Sequence, residues 1–329
     1  MTVLSYTERL SQAASFLREN DDFLVVSHIQ PDGDAAGSTF AMAWMLLALG
    51  KRFTLINEGH MPEKFMYMTH SQLRILNLET EPPERKFGRV ISVDCADFDR
   101  IGKVSACFEE NVQLLNIDHH ATNDDFGAVN LVRADAAATV EVLYDLNVEL
   151  GLPFSHELNV CIYSGLLTDT GGFRYSNTSP KVMQIAADML SRGVKGYELA
   201  ERLLESLTMP QVTILKSALA TLGFAHEQQA AWLSVSLEDL ARSGASSDDL
   251  DGLVNYPRNI EGVEVGMLFK EKKPGVIKVS LRSAGKVDVA ELASRFGGGG
   301  HVRAAGCTVL GTLDEAIKQV VEEVGRALA

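Results

Sequence analysis

Four short clusters that contain aspartate, three of them together with histidine or threonine, lie between residues 27 and 172. They read Ser27-His28-Ile29-Gln30-Pro31-Asp32-Gly33-Asp34, Val93-Asp94-Cys95-Ala96-Asp97, Asp118-His119-His120 and Leu167-Thr168-Asp169-Thr170-Gly171-Gly172. A single aspartate at such a place more often caps a helix than binds a metal. Several carboxylates gathered at one point, however, repel one another and need a cation. As a set, the clusters therefore predict a metal site.

The residue types in these clusters restrict the metal and its chemistry. The candidate ligands are His28, Asp32, Asp34, Asp94, His119 and Asp169. Imidazole mixed with carboxylate, with only Cys95 as a nearby thiol, suits manganese, magnesium or iron better than a structural zinc. Six ligands are enough for two cations that share one bridge. Two metals roughly 3.5 to 4 Å apart activate a water and clamp a phosphoryl group during in-line displacement. The leading prediction is phosphoester hydrolysis.

Apolar, strand-like runs alternate with helical stretches in this half of the chain, which is typical of an α/β domain with a mostly parallel sheet flanked by helices. The predicted strands are residues 23–28, 53–56, 89–93 and 112–117. The first, third and fourth of these strands end at a cluster. Because ligands of open α/β sheets bind outside the carboxyl ends of the strands, we expect the clusters to converge there.

The rest of the sequence predicts a second, smaller α+β domain. We expect a catalytic domain over residues 1–193, a helical linker over 194–209 and the second domain over 210–329. In that domain Gly297 to Gly300 precede His301 and form a predicted loop whose amides suit a phosphate. A helix end that runs into a flexible loop explains the glycines equally well. Arg282 is a further candidate anion contact, although a lone arginine is more often in a surface ion pair.

The composition is that of an ordinary globular protein, with 329 residues, 46% of them hydrophobic and 22% charged. The net charge of -14 argues against a protein that holds long nucleic acid by general electrostatics. The longest apolar run, residues 40–49, is half the ~20 residues that a membrane-spanning helix needs. We therefore expect no membrane insertion and a cytoplasmic location. Four isolated cysteines fit a reducing compartment.

In their types and order, the clusters resemble those of the DHH phosphoesterase superfamily, in the subgroup with a glycine-rich, DHH-associated C-terminal domain. The resemblance includes Gly297-Gly298-Gly299-Gly300-His301 and Ala304-Ala305-Gly306, so it spans nearly the whole chain. The two-domain length is most similar to the NrnA-type enzymes. Those enzymes degrade very short RNA oligonucleotides and dephosphorylate pAp, which is 3′-phosphoadenosine 5′-phosphate.

The resemblance implies two bound divalent ions, most often manganese, with Asp94 as the bridge. The implied ligands are His28, Asp32 and Asp94 for one ion, and Asp34, Asp94, His119 and Asp169 for the other. His120 would face the scissile phosphate as a donor or general acid. Asp118 would orient the neighbouring histidine from behind.

The resemblance also implies that the C-terminal domain holds the substrate. The implied contacts are Arg282, Gly298, Gly299, Gly300 and His301. Expected partners are short RNA or DNA oligonucleotides, linear dinucleotides and pAp. A homodimer through the first domain is compatible with the family.

Three other functions share parts of this pattern. A processive single-strand DNA exonuclease of the RecJ kind has the same clusters but carries additional nucleic-acid-binding modules. A manganese pyrophosphatase has a similar first domain but a different second domain that bears Lys and Arg, and the glycine-rich segment from Gly297 to His301 argues against this function. A silent nucleotide-binding protein with this fold would lack one or more metal ligands, whereas all six are present here.

Overall fold

The chain forms two compact units that divide between Ser206 and Leu207. The computed structural model describes residues 4–246, 248–250 and 252–328. Val194 and Leu199 are buried in the core of the first unit. The first part of the predicted linker 194–209 therefore packs with that unit, and helix α7 (Met209–Leu219) lies in the second.

The first unit is built on a sheet of six strands that are all parallel, in the order β3-β2-β1-β4-β5-β6. The strands are β1 (Phe23–Val26), β2 (Phe53–Asn57), β3 (Ile75–Asn77), β4 (Phe87–Val93), β5 (Phe108–Asp118) and β6 (Val129–Val132). All four residues of β1 are buried, as expected for a strand covered on both faces. The predicted fold class, a mostly parallel α/β sheet, is confirmed.

The strand order places the ends of β1 and β4 side by side at the centre of the sheet. The chain runs outward from β1 to β3 and then returns to β4 on the other side of β1. In open α/β sheets, the crevice at such a reversal is where ligands bind, outside the carboxyl ends of the strands. Residues that follow β1 and β4 therefore face a common crevice.

Helices cover the sheet of the first unit. They are α1 (Tyr6–Glu19), α2 (Gly33–Ala48), α3 (Thr139–Leu150), α4 (His156–Asp169), α5 (Pro180–Ser191) and α6 (Gly196–Ala200), with shorter 3-10 and π turns at Glu63–Thr69, Phe98–Cys107 and Glu201–Glu205. Helices α2 and α4 pack closely, since a Cβ atom at Gly37 would lie 2.9 Å from the Cys161 carbonyl oxygen. No helix within the described ranges is long and apolar enough to cross a bilayer.

The second unit is a smaller α+β domain, as expected, with a mixed six-stranded sheet in the order β11-β12-β10-β9-β8-β7. Its strands are β7 (Gly223–Ala225), β8 (Ala230–Val235), β9 (Val265–Lys273), β10 (Val276–Ser283), β11 (Gly299–His301) and β12 (Ala304–Leu310). Besides α7, its helices are α8 (Leu237–Ser243), α9 (Asn255–Arg258), α10 (Val289–Ser294) and α11 (Leu313–Leu328), with a short 3-10 turn at Asp248–Leu250. β8 and β9 are parallel, and the other pairs are antiparallel.

Candidate metal centre

The four clusters meet at the central crevice of the first unit. His28 follows β1, Asp94 follows β4, and His119 follows β5. The other three candidate ligands lie at helix ends: Asp32 and Asp34 at the start of α2, and Asp169 at the end of α4. All six predicted ligands are brought together in two groups, His28 with Asp32 and Asp94, and Asp34 with His119 and Asp169. Within each group, one ligand atom per residue lies within 4.8 Å of the others.

The first group surrounds Nε2 of His28, which lies 3.6 Å from Oδ2 of Asp94 and 3.9 Å from Oδ1 of Asp32. Nδ1 of His28 lies 2.8 Å from the carbonyl oxygen of Ile29. A proton on Nδ1 is held by that carbonyl, which leaves the Nε2 lone pair for a metal. Asp32 also accepts the Asp34 amide at 3.0 Å as the N-cap of α2. Helix capping and metal binding are therefore compatible for this residue.

The second group surrounds Nε2 of His119. This atom lies 3.4 Å from Oδ2 of Asp169, 3.7 Å from Oδ1 of Asp94 and 3.9 Å from Oδ2 of Asp34. Nδ1 of His119 lies 3.3 Å from the Ala136 carbonyl oxygen, so the ring is oriented in the same way as that of His28. Asp94 takes part in both arrangements, with Oδ2 toward His28 and Oδ1 toward His119.

Burial and neighbouring charges shift the pKa values of these carboxylates. The side chain of Asp34 is fully buried and that of Asp94 is 2% exposed. Burial raises the pKa of Asp34 well above the usual aspartate range, and the charges of Asp94 and Asp169 raise it further. Burial and the charge of Asp94 likewise raise the pKa of Asp169. Burial also tends to raise the pKa of Asp94. The contact with His28 and the charges of His28, His119 and His120 outweigh burial, so the pKa of Asp94 lies below the usual aspartate range.

This donor set fits divalent cations. Within residues 4–246, 248–250 and 252–328, no lysine or arginine forms an ion pair with Asp32, Asp34, Asp94 or Asp169. Carboxylates buried without a cationic side chain are compensated by a bound metal or by protons. Two imidazoles and four carboxylates form an oxygen-rich, mixed site of the kind that manganese and magnesium occupy.

His120 is positioned by the buried carboxylate of Asp118. Nδ1 of His120 lies 2.8 Å from Oδ1 of Asp118, whose other oxygen accepts from Asn123 Nδ2 at 2.7 Å. Burial alone lowers the pKa of His120, but the hydrogen bond and charge of Asp118 outweigh it, so the pKa lies above the usual histidine value. Asp118 is therefore placed to hold a proton on Nδ1 of His120 and to orient its ring.

Sequence reasoning missed three residues that support the cluster. Thr139, the first residue of α3, donates its amide to Asp34 Oδ2 at 2.6 Å and its hydroxyl to Asp94 Oδ1 at 2.8 Å. Asn123 holds Asp118, and Asn177 donates to the backbone oxygen of Asp169 at 3.1 Å. The only local signal is the run of apolar residues after Thr139, which indicates a helix that starts there. Its contacts depend on the tertiary fold, because the partners are 105 and 45 residues away.

We expect Thr139→Val to weaken metal binding about tenfold, as is usual when a group that orients a ligand is lost. Valine keeps the amide contact to Asp34 and the branched shape, but it removes the hydroxyl that holds Asp94. Titration of metal-free protein with Mn²⁺ by calorimetry measures the change. Thr139→Ser retains the hydroxyl and serves as the matched control. Equal affinities for the valine and serine variants would contradict the role given to the hydroxyl.

In the second unit, Arg282 and His301 lie on the same face of the sheet. Arg282 of β10 pairs with Ala304 of β12, and Ala304 pairs with His301 of β11. Directly paired residues point to the same side, so the two side chains flank the small Ala304 in one row. Two strand spacings put their backbones about 10 Å apart. This separation suits two contacts to one small anionic ligand.

The glycine-rich segment is not the open loop that the sequence predicted. Gly299 and Gly300 belong to the edge strand β11, and the amides of Gly297 and Gly298 bond to carbonyls at the end of α10, both at 3.0 Å. The glycines serve close packing: a Cβ atom at Gly298 would lie 2.2 Å from the Gly306 carbonyl oxygen. At Gly300, φ is +145°, and a Cβ atom would lie 2.5 Å from the Ala304 oxygen. A helix end that runs into a hairpin thus explains much of this motif.

Two family models match the chain, one in each unit. The model of the DHH family, N-terminal domain, matches residues 22–166, and the model of the DHHA1 domain matches residues 229–329. The first match contains five of the six candidate ligands, and Asp169 follows three residues after its end.

Similar proteins agree with these matches. The NrnA protein of Thermus thermophilus, named a bifunctional oligoribonuclease and PAP phosphatase, is 34% identical over 98% of this chain and 95% of its own length. An exopolyphosphatase-related protein from Bacteroides fragilis superposes with a TM-score of 0.90 at 25% identity and covers 99% of both chains. RecJ of T. thermophilus in complex with Mn²⁺ shares the fold, with a TM-score of 0.56 and 16% identity over 97% of this chain and 54% of RecJ. The chain therefore belongs to the DHH phosphoesterase family, with a DHH domain followed by a DHHA1 domain.

Proposed function

We propose that the chain is a metal-dependent phosphoesterase that hydrolyses short oligonucleotides, including linear dinucleotides, to mononucleotides and removes the 3′-phosphate of pAp. The observation that carries the proposal is the pair of ligand groups that converge on Asp94 at the central crevice. The T. thermophilus relative has both activities in its name and matches this chain over 98% of its length.

Two divalent ions fit the residues present. The proposed ligands are His28, Asp32 and Asp94 for one ion and Asp34, Asp94, His119 and Asp169 for the other. When bound, such ions supply an activated water and positive charge to the phosphoryl oxygens. Manganese is the proposed metal because two imidazoles accompany the carboxylates. The same fold holds Mn²⁺ in T. thermophilus RecJ.

His120 is proposed to protonate the leaving oxygen. Asp118 holds the proton on Nδ1, so the proton that moves is the one on Nε2. Water attacks phosphorus and its proton passes to solvent, while the bond from phosphorus to the leaving oxygen breaks and that oxygen takes the proton of Nε2, which gives a nucleoside hydroxyl and a free phosphate or nucleotide. His120 then regains a proton from solvent. The positive imidazolium also attracts the phosphate before the bond breaks.

The C-terminal unit is proposed to bind the substrate through Arg282 and His301. Both side chains lie in one row of the sheet, and a guanidinium pairs well with phosphate. Gly298, Gly299 and Gly300 are the proposed backbone contacts at the edge strand β11, and the space beside Gly299 is open, since a Cβ atom there would meet nothing within 4 Å. The net charge of -14 favours short ligands over long polymers.

The test compares four substrates: an RNA dinucleotide, its DNA counterpart, an RNA strand of about 24 nucleotides, and pAp. Release of mononucleotide or phosphate is followed in Mn²⁺ and again after chelation. We expect turnover of the RNA dinucleotide and pAp in Mn²⁺, slow attack on the long strand, and none after chelation. Faster turnover of the long strand would support a RecJ-like exonuclease instead. Hydrolysis of no substrate would favour a nucleotide-binding protein.

A further inference from the structure

An exposed tyrosine lies beside the metal centre, in the turn that follows α4. Asp169, a proposed metal ligand, is the last residue of α4, and Tyr175 comes six residues later. The chain folds back between them, because the Tyr175 amide donates to the carbonyl oxygen of Thr170 at 3.0 Å. The backbone of Tyr175 therefore lies next to the residue that follows Asp169.

The turn that carries Tyr175 is held in place by hydrogen bonds. The hydroxyl of Thr170 donates to a carbonyl oxygen of α4 at 2.6 Å and accepts the Phe173 amide at 3.0 Å. Asn177 donates to the carbonyl oxygen of Asp169 at 3.1 Å. These bonds tie both ends of the turn to the end of α4. The position of Tyr175 relative to Asp169 is therefore set by the fold.

One face of the Tyr175 ring is covered and the other is open. A Cβ atom at Gly171 would collide almost equally with Cζ, Cε1 and Cε2 of the ring, so this glycine lies against the flat side of the ring. Gly171 is buried, whereas Tyr175 is 47% exposed. Within residues 4–246, 248–250 and 252–328, no other aromatic ring and no cation stacks on Tyr175, and its hydroxyl has no hydrogen bond. The ring thus presents a free aromatic face.

Arg174 adds a positive charge near this ring. Its Nε donates to the carbonyl oxygen of Gly171 at 2.5 Å, and the side chain is exposed. It forms no ion pair with any residue that the structure describes. In a protein with a net charge of -14, an arginine without a carboxylate partner favours anionic ligands locally. Arg174 and Tyr175 both contact Gly171, two residues after Asp169.

We propose that Tyr175 stacks on the base of the nucleotide whose phosphate lies at the metal centre, and so selects nucleotides over phosphoesters that lack a base. This inference rests on the proposed function, because the phosphate must bind at that centre. Stacking on an aromatic side chain accepts every base, since each has a flat π face. The Cα atoms of Gly171 and Asp169 are at most about 7 Å apart, a distance that the sugar between a phosphate and its base can span.

The test compares AMP with ribose 5-phosphate, which has the same phosphate and sugar but no base. Calorimetry with the Mn²⁺-loaded protein gives the affinity of each ligand. We expect the parent protein to bind AMP about tenfold more tightly than ribose 5-phosphate. Tyr175→Ala should lose most of this difference and bind ribose 5-phosphate like the parent. Tyr175→Phe keeps the ring and should bind AMP like the parent.

Turnover of the RNA dinucleotide gives a second readout. Loss of a contact that is equally strong in the bound substrate and the transition state raises KM and leaves kcat unchanged. We expect Tyr175→Ala to raise KM about tenfold, with kcat and Mn²⁺ affinity within about threefold of the parent. Tyr197→Ala, at a tyrosine of the same unit that is 71% exposed, is the matched control and should change none of these values.

Three outcomes would overturn the inference. The parent protein binds AMP no more tightly than ribose 5-phosphate, or Tyr175→Ala binds AMP as tightly as the parent does, or Tyr175→Ala weakens both ligands and Mn²⁺ equally. The last result would show that the ring only supports Gly171 and Asp169. A parent protein that hydrolyses no dinucleotide would contradict the proposed function alone, because the comparison of AMP with ribose 5-phosphate still measures the contact with the base.

Discussion

Replacement of Asp94 by alanine is expected to reduce hydrolysis of an RNA dinucleotide by roughly 10³-fold or more, or about 4 kcal/mol in the activation barrier. Asp94 is the one carboxylate that faces both groups of ligands, 3.6 Å from His28 and 3.7 Å from His119. It also receives the hydroxyl of Thr139. Its loss removes the shared ligand of both proposed ions, whereas loss of Asp32 or Asp169 affects one.

The measurement pairs turnover with metal binding. Calorimetric titration of the Asp94→Ala protein with Mn²⁺ should show weaker binding of both ions, in addition to the loss of activity. Asp97→Ala is the matched control from the same cluster, because Asp97 caps the turn Phe98–Cys107 by accepting the Arg100 amide at 3.0 Å. That variant should keep full metal binding and activity. An Asp94→Ala protein that binds two ions normally and retains a tenth of the turnover would exclude Asp94 as the bridge.

The position of the metal centre could be predicted from sequence because parallel strands end at one edge. His28, Asp94 and His119 each follow a short apolar run, and such a run bounded by turn residues is consistent with a buried strand. The convergence of these three residues then follows from the α/β fold alone. Their division into two groups around Asp94 depends on the strand order, which no local pattern contains, and at the level of sequence only the family resemblance implied it.

Residues whose role depends on distant partners could not be found in the same way. Thr139 follows three alanines, and nothing near it in sequence indicates that its amide and hydroxyl reach Asp34 and Asp94. The strands β3 and β6 were also missed, because three or four residues at the edge of a sheet carry too little apolar pattern.

The glycine run shows a different limit of sequence reasoning. Repeated glycines predict an open loop on conformational grounds. Gly299 and Gly300 nevertheless form a strand. Glycine is needed at position 300 because the backbone there passes close to Ala304 and Ala305. The need for glycine here comes from a neighbouring strand that is paired only after folding. The segment still lies beside Arg282 and His301 in the sheet, so its proposed role in substrate binding is unaffected.

Replacement of His120 by glutamine is expected to lower turnover of an RNA dinucleotide by about 10² to 10⁴-fold, the usual range for loss of a general acid. Glutamine removes the proton that Nε2 would give to the leaving oxygen. The nitrogen of His120 that lies nearest to Asp94, Nδ1, is hydrogen-bonded to Asp118 at 2.8 Å and lies 3.8 Å from Asp94, so we do not expect it to be a main metal ligand. Metal affinity should therefore stay within about threefold of the parent protein, well short of the loss that follows from removal of a group that orients a ligand.

A substrate with a better leaving group separates this role from metal binding. The p-nitrophenyl ester of a nucleotide releases an anion that needs no proton, so His120→Gln should slow it less than about tenfold, far less than the dinucleotide. His60→Gln, at an exposed histidine of the same unit, is the control and should change neither rate. The alternative role for His120 is metal binding. Its Nδ1 lies 3.8 Å from Asp94, and the residue forms a third candidate ligand group with Asp94 and His119. Equal losses on both substrates, together with weaker Mn²⁺ binding, would assign His120 to the metal rather than to the leaving group.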